Sequence, residues 1–134
     1  MIRRILLSAA FYGTASLAVA QAYPAKPISL IVPFGAGGSS DGQMRMLATA
    51  MGKQLNQVVL VENVPGGSSN VAPARVAKSP PNGYILLNHN TTLATARALF
   101  PDLDFNPLTD LDYIGLVNFA SSMMIARSDF PGGN

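Results

Sequence analysis

The apolar positions fall into short continuous runs that alternate with stretches at helical spacing. Ile28, Leu30, Ile31 and Val32 form a nearly unbroken apolar run, the pattern of a strand covered on both faces, and Pro33 closes it. Met44, Leu47, Ala48, Met51 and Leu55 then recur three or four residues apart, as one stripe on a helix predicted over Asp41 to Asn56. Ser39 or Ser40 is placed to cap this helix, and Asp41 in its first turn suits the dipole. Val58 to Val61 is a second run, rich in β-branched residues, and predicts a second buried strand. Asn70 is placed to cap a helix over Val71 to Lys78, with Pro73 tolerated in its first turn. Ser79-Pro80-Pro81-Asn82-Gly83 then stops the chain and turns it. Tyr84 to Leu87 predicts a third strand, Leu93 to Phe100 a short helix ended by Pro101, and Tyr113 to Asn118 and Ser122 to Ala126 two further strands.

Strand, polar loop and helix therefore follow one another three times. That order implies an α/β fold with a parallel sheet and right-handed crossovers. The three loops then lie at the carboxyl ends of their strands, where open α/β sheets bind ligands. The first loop, Pro33-Phe34-Gly35-Ala36-Gly37-Gly38-Ser39-Ser40, is rich in glycine and precedes the longest helix. Without a Cβ, its backbone N–H groups can approach a ligand closely. The helix behind it aims its unpaired N–H groups at the same spot, which makes an anion site. The second loop, Val64-Pro65-Gly66-Gly67-Ser68-Ser69-Asn70, repeats the glycine-serine character, and the third is Asn88-His89-Asn90-Thr91-Thr92.

The first residues read as a leader and not as fold. Arg3 and Arg4 precede an uncharged, mostly apolar stretch from Ile5 to Val19, and Ala18-Val19-Ala20 and Ala20-Gln21-Ala22 are small-x-small cleavage signals. Residues 1–22 are thus expected to be a secretory signal peptide, diluted by Ser8, Gly13, Thr14 and Ser16 relative to a membrane helix. Its removal changes the electrostatics. The whole chain carries 9 Lys+Arg against 7 Asp+Glu; without Arg3 and Arg4 the charges balance. No basic stripe remains to support nucleic-acid binding. With 0 Cys and 1 His, the chain offers no thiol nucleophile, no disulfide framework and no zinc–thiolate or His-cluster site. No catalytic triad stands out, and no cofactor is called for. The first loop lacks the dinucleotide spacing G-x-G-x-x-G and the Gly-Lys-Ser/Thr of a phosphate loop.

With these residues laid out, the chain resembles the N-terminal part of the tripartite tricarboxylate transporter substrate-binding proteins, also called the Bug family. The matching pieces stand in the family's order. They are the secretory signal; Tyr23-Pro24-Ala25-Lys26-Pro27-Ile28; Val32-Pro33-Phe34 with Ala36-Gly37-Gly38 and Asp41; Val61-Glu62-Asn63 with Pro65-Gly66; Pro81-Asn82-Gly83-Tyr84 with Leu86-Leu87; and Phe105-Asn106-Pro107 with Asp110-Leu111. The resemblance implies a periplasmic solute-binding protein, not an enzyme, that closes two α/β lobes on a small carboxylate and delivers it to membrane permease subunits. It also implies that the strand–helix loops hold the ligand, largely through backbone N–H groups. Carried over to this chain, the ligand-binding candidates are Phe34, Ala36, Gly37, Gly38 and Asp41 in the first loop. Gly66, Gly67, Ser68 and Ser69 are candidates in the second, and Asn90 and Thr91 in the third by position only. Glu62 and Asn63 are expected to fix a loop. Arg45, Arg75, Lys78 and Arg97 are expected on solvated helix faces.

The departures from the family pattern are specific. Relatives carry Asn-Arg-Pro-Gly-Ala-Gly-Gly in the second loop, whereas here Val64 stands for the arginine and Ser68 and Ser69 for the later glycines. If those positions need positive φ, each serine strains the loop by about 1 kcal/mol. His89 falls where relatives have small residues. Relatives are also considerably longer. Residues 23–134 are therefore expected to form a truncated, periplasmic-binding-protein-like (type II) lobe, with a parallel sheet core and without the second lobe. An incomplete lobe is expected to expose an apolar face. Two alternatives stand beside the solute-binding reading: a truncated, non-functional fragment of such a protein, and an α/β enzyme binding a phosphate-containing ligand.

Overall fold

The computed structural model describes residues 22–119 together with 123, 125–127 and 129. The alternation read from the sequence is present as β1 (Ile28–Val32), α1 (Ser39–Leu55), β2 (Val59–Asn63), α2 (Val71–Ala77), β3 (Ile85–Leu87) and α3 (Thr92–Leu99). A short helical turn, Gly67–Ser69, precedes α2. The strands form one parallel sheet in the order β2-β1-β3. β1 lies in the middle, which explains its nearly continuous apolar sequence: Ile28, Leu30, Ile31 and Val32 are all buried.

Side-chain alternation along the strands assigns the helices to opposite faces. Leu30 and Val32 share one face with Val59, Val61 and Leu86, and there they pack with Met44, Leu47 and Ala48 of α1. The three-and-four spacing of the α1 stripe is thus the spacing of its contact with the sheet. Ile31 and Glu62 face the other way. Ile31 is fully buried, and Glu62 takes a fork of two hydrogen bonds, 2.5 and 3.1 Å, from Arg75 of α2. Each large apolar side chain buried in this way contributes roughly 1.5–3 kcal/mol. Arg75 and Lys78 are paired, with Glu62 and Asp104 respectively, yet they stay about half exposed or more. Such pairs add little stability.

The amino edge of the sheet is tied by the incoming chain. The Tyr23 hydroxyl donates to the Gly83 carbonyl at 2.6 Å, and the Ala25 N–H donates to the Tyr84 hydroxyl at 2.9 Å. The two rings meet edge to face at 5.1 Å. The Pro-Asn-Gly-Tyr turn therefore serves as an anchor for the residues that lead into β1.

Some expectations need correction. Tyr113 to Asn118 is irregular, not a strand. A strand must pair its backbone groups with a neighbour, and this segment has none among the described residues. Ile114, Leu116 and Phe119 lie 84%, 69% and 91% exposed. The strand expected over Ser122 to Ala126 falls partly outside the described residues, and its described positions 123, 125 and 126 are not in a strand. The signal peptide lies outside the described residues apart from Ala22. Helix α1 begins at Ser39, so Gly38 occupies the cap position and neither Ser39 nor Ser40 caps it. Asn70 precedes α2 in a helical conformation and makes no side-chain cap, because it already continues the preceding turn through Asn70 N–H to Gly67 O.

Candidate functional site

Because the sheet is parallel and in register, its three following loops leave from one edge. Val32 pairs with Asn63, and Ile31 with Leu87. The chain departs from β1 toward β2 on one side and later lays β3 on the other. The β1/β3 boundary is therefore a switch point, the place where open α/β sheets form a crevice.

The first loop is built on Asp41. This residue sits in the first turn of α1 and is only 4% exposed. Its carboxylate accepts from the Gly37 N–H at 2.9 Å, from Arg45 Nε at 3.0 Å and Nη2 at 2.9 Å, and from Asn63 Nδ2 at 3.0 Å. Asn63 Nδ2 also donates to the Phe34 carbonyl at 3.0 Å, and Asn63 Oδ1 accepts from Arg45 Nη2 at 3.1 Å. The hydrogen bond from Arg45, with those from Gly37 and Asn63, holds the Asp41 carboxyl at about 2, against an ordinary 3.8. Asp41 is thus an internal anchor whose acceptor sites are taken. Arg45, expected on a solvated face, is half exposed but committed to this network. Asn63 fixes the loop, as its place at the end of β2 suggests.

Above this anchor, Ala36, Gly37 and Gly38 are exposed. Gly37 has φ +81°, a conformation that favours glycine. Among the described residues, the N–H groups of Ser39, Ser40 and Asp41 meet no acceptor. The start of a helix of five turns is therefore left open toward solvent on the carboxyl edge.

The second loop makes a left-handed turn. Gly66, Gly67, Ser68 and Ser69 have φ of +129°, +54°, +53° and +69° in succession. Both serines therefore stand where glycine is the natural residue, and the strain anticipated for them is present. Gly66, Gly67 and Ser68 are exposed, and Ser69 is half buried. Among the described residues, the N–H groups of these four residues meet no acceptor. In the third loop, Asn90 Oδ1 accepts from the Thr92 N–H at 3.1 Å and from the Thr92 hydroxyl at 2.6 Å, so that side chain starts α3. Thr91 is exposed beside it.

The sequence pattern did not single out His89 as a site residue, yet it touches all three loops. Its Nε2 lies 3.1 Å from the Ser69 carbonyl, its Nδ1 lies 3.0 Å from the Asn90 N–H, and its ring meets Phe34 edge to face at 6.1 Å. Its only advance signal was its presence where relatives have a small residue. A groove of about 440 Å³ runs elsewhere, between α1 and the outer strand β2, lined by Ala48, Thr49 and Val58 to Val61. It is open and lies along the strand, away from the loop tips. The open N–H groups of two loops on the same sheet edge make the loops the better candidate.

Comparison with known proteins agrees with this fold. Residues 43–134 match the model of the tripartite tricarboxylate transporter family receptor. The chain belongs to that family. A UPF0065 protein of Bordetella pertussis is 40% identical over 100% of this chain and 41% of its own length. Among solved structures, the periplasmic binding protein BugD superposes with a TM-score of 0.63 at 35% identity, over 66% of this chain and 29% of that one. MatC from Rhodopseudomonas palustris with bound malate superposes at 0.61 with 36% identity, over 66% of this chain and 30% of that one. The chain thus spans about two-fifths of the relative it matches along its whole length. The fold is part of a periplasmic-binding-protein lobe.

Proposed function

We propose that this chain contributes part of the first lobe of a periplasmic solute-binding protein, whose loops hold one carboxylate of a small di- or tricarboxylate. Residues 1–22 act as the cleaved secretory signal, and residues 23–134 supply the lobe. The observation that carries the reading is the set of open N–H groups on one sheet edge, from Ser39 to Asp41 at the start of α1 and from the left-handed Gly66–Ser69 turn. Family membership supports a binding role within a transporter, with permease subunits as partners. The malate bound to MatC supports the carboxylate class.

In this reading Gly66 and Gly67 contribute backbone donors together with the open N–H groups of Ser39 to Asp41. Gly37 and Gly38 shape the loop while their own N–H groups bond Asp41 and the Gly35 carbonyl, and Ser68 and Ser69 add hydroxyls. Phe34, Ala36, Asn90 and Thr91 line the same edge. Asp41 acts beneath it, since its charge is already neutralised by Arg45 and its oxygens are occupied.

A thermal-shift series with malate, citrate and other small carboxylates, set against a nucleotide, tests the proposal. A ligand at a hundredfold excess over its dissociation constant stabilises the folded state by about 2.7 kcal/mol, and a carboxylate is expected to do so. A nucleotide shift without any carboxylate shift overturns it.

A further inference from the structure

We infer, given the carboxylate reading above, that His89 is a positioning residue: its imidazole clasps the left-handed turn of the second loop to the third loop and so sets the direction of the N–H groups offered to the ligand. The Ser69 carbonyl only accepts, so Nε2, at 3.1 Å, carries the hydrogen. In the neutral ring Nδ1 is then the acceptor, and it takes the Asn90 N–H at 3.0 Å. The Asn90 carbonyl also lies 3.3 Å from Nδ1, a longer contact that a ring with its hydrogen on Nε2 leaves unmade; the two shorter contacts select that tautomer, Nε2–H. Both nitrogens are committed, so the ring acts through Ser69 and not by direct donation to a ligand.

The turn needs such a clasp. Ser68 at φ +53° and Ser69 at φ +69° occupy a conformation unfavourable for side-chain-bearing residues, and strained backbone persists only where its surroundings over-determine it. Within the turn, the Asn70 N–H closes on the Gly67 carbonyl at 3.0 Å. Among the described residues, His89 makes the only side-chain hydrogen bond between the second and third loops. The edge contact with Phe34 adds the first loop to the same ring.

Two variants separate positioning from bulk. In His89→Gln the side-chain amide nitrogen reaches close to the place of Nε2, whereas in His89→Asn it stops short. The wild-type ring is expected to show the Nε2–H tautomer by nitrogen NMR. His89→Asn is expected to speed amide exchange at Gly67 to Asn70 and to weaken malate binding about tenfold, the equivalent of one lost neutral hydrogen bond. His89→Gln is expected to restore both to within about threefold. An Nδ1–H tautomer, or unchanged exchange and affinity in His89→Asn while the wild type binds malate, overturns the clasp. If the wild type binds no dicarboxylate at all, the functional reading falls instead.

Discussion

Arg45 grips Asp41 from one helical turn away, with Nε at 3.0 Å and Nη2 at 2.9 Å from the two carboxylate oxygens. The pair then reaches across to Asn63 on the neighbouring strand. A bidentate guanidinium contact fixes orientation as well as charge. The first glycine loop therefore rests on a rigid base although its own residues carry almost no side chains.

This grip predicts an acid-sensitive fold. The Asp41 carboxyl is depressed to about 2 in the folded chain from an ordinary 3.8. A depressed acid stabilises the folded state above its unfolded value and loses that contribution as pH falls through its folded value. Unfolding midpoints in urea should therefore drop between about pH 4 and pH 2. Asp104 and Asp110 are lowered as well and contribute in the same direction, so the comparison must be with Asp41→Asn. That variant should be less stable than wild type at neutral pH, with the gap closing below about pH 3. A constant gap across the range would show that the charge is not what matters.

The two central glycines should behave differently. Gly37 has φ +81° and open space where a Cβ would stand, so Gly37→Ala should cost about 1 kcal/mol through backbone strain alone. Gly38 has φ −74°, which any residue adopts, and a Cβ there would meet only the Gly35 carbonyl at 3.3 Å. Gly38→Val should therefore leave the circular dichroism spectrum nearly unchanged while abolishing stabilisation by carboxylates. Retained carboxylate stabilisation in that variant would move the site elsewhere.

Relief of the left-handed turn should be measurable. Ser68→Gly and Ser69→Gly each remove strain of about 1–2 kcal/mol and return part of it as added freedom of the unfolded chain. Each variant is expected to raise stability by about 0.5–1 kcal/mol in denaturant melts. Destabilisation by both would mean that the serine side chains contribute more than their backbone costs.

The α1 stripe supplies the control. Met44 is 1% exposed and packs on Leu30 and Val32. Met44→Ala should cost about 2–5 kcal/mol, enough to unfold a small lobe. A loss below about 1 kcal/mol would contradict the packing of α1 on this face.

What could be read from the sequence was whatever is local. The run from Ile28 to Val32 and the stripe from Met44 to Leu55 show burial in their own spacing, and both elements lie where the pattern puts them. The loops followed, because each is bounded by two such elements. The Arg45 contact to Asn63 could not be read in the same way. It exists only because parallel pairing sets Val32 beside Asn63, a relationship between residues far apart in the chain. His89 was hidden for the same reason, since its partner Ser69 lies on another loop. The segment from Tyr113 to Asn118 misled in the opposite sense. Its composition suits a strand, but a strand is made by its neighbour, and among the described residues none is paired with it.

The central place of β1 also bears on how the chain assembles. The first strand to be made is the one that every other strand must find, and its partners Val59 and Ile85 arrive only after one and two intervening helices. Growth from the amino end therefore adds each strand to β1 itself, β2 on one side and then β3 on the other. One side of β1 therefore stays unpaired until β3 closes on it across the longer separation, which makes that pairing the most non-local step of this sheet. Substitutions that weaken the meeting of β1 with β3 should accordingly slow folding, even where they change few contacts in the finished structure.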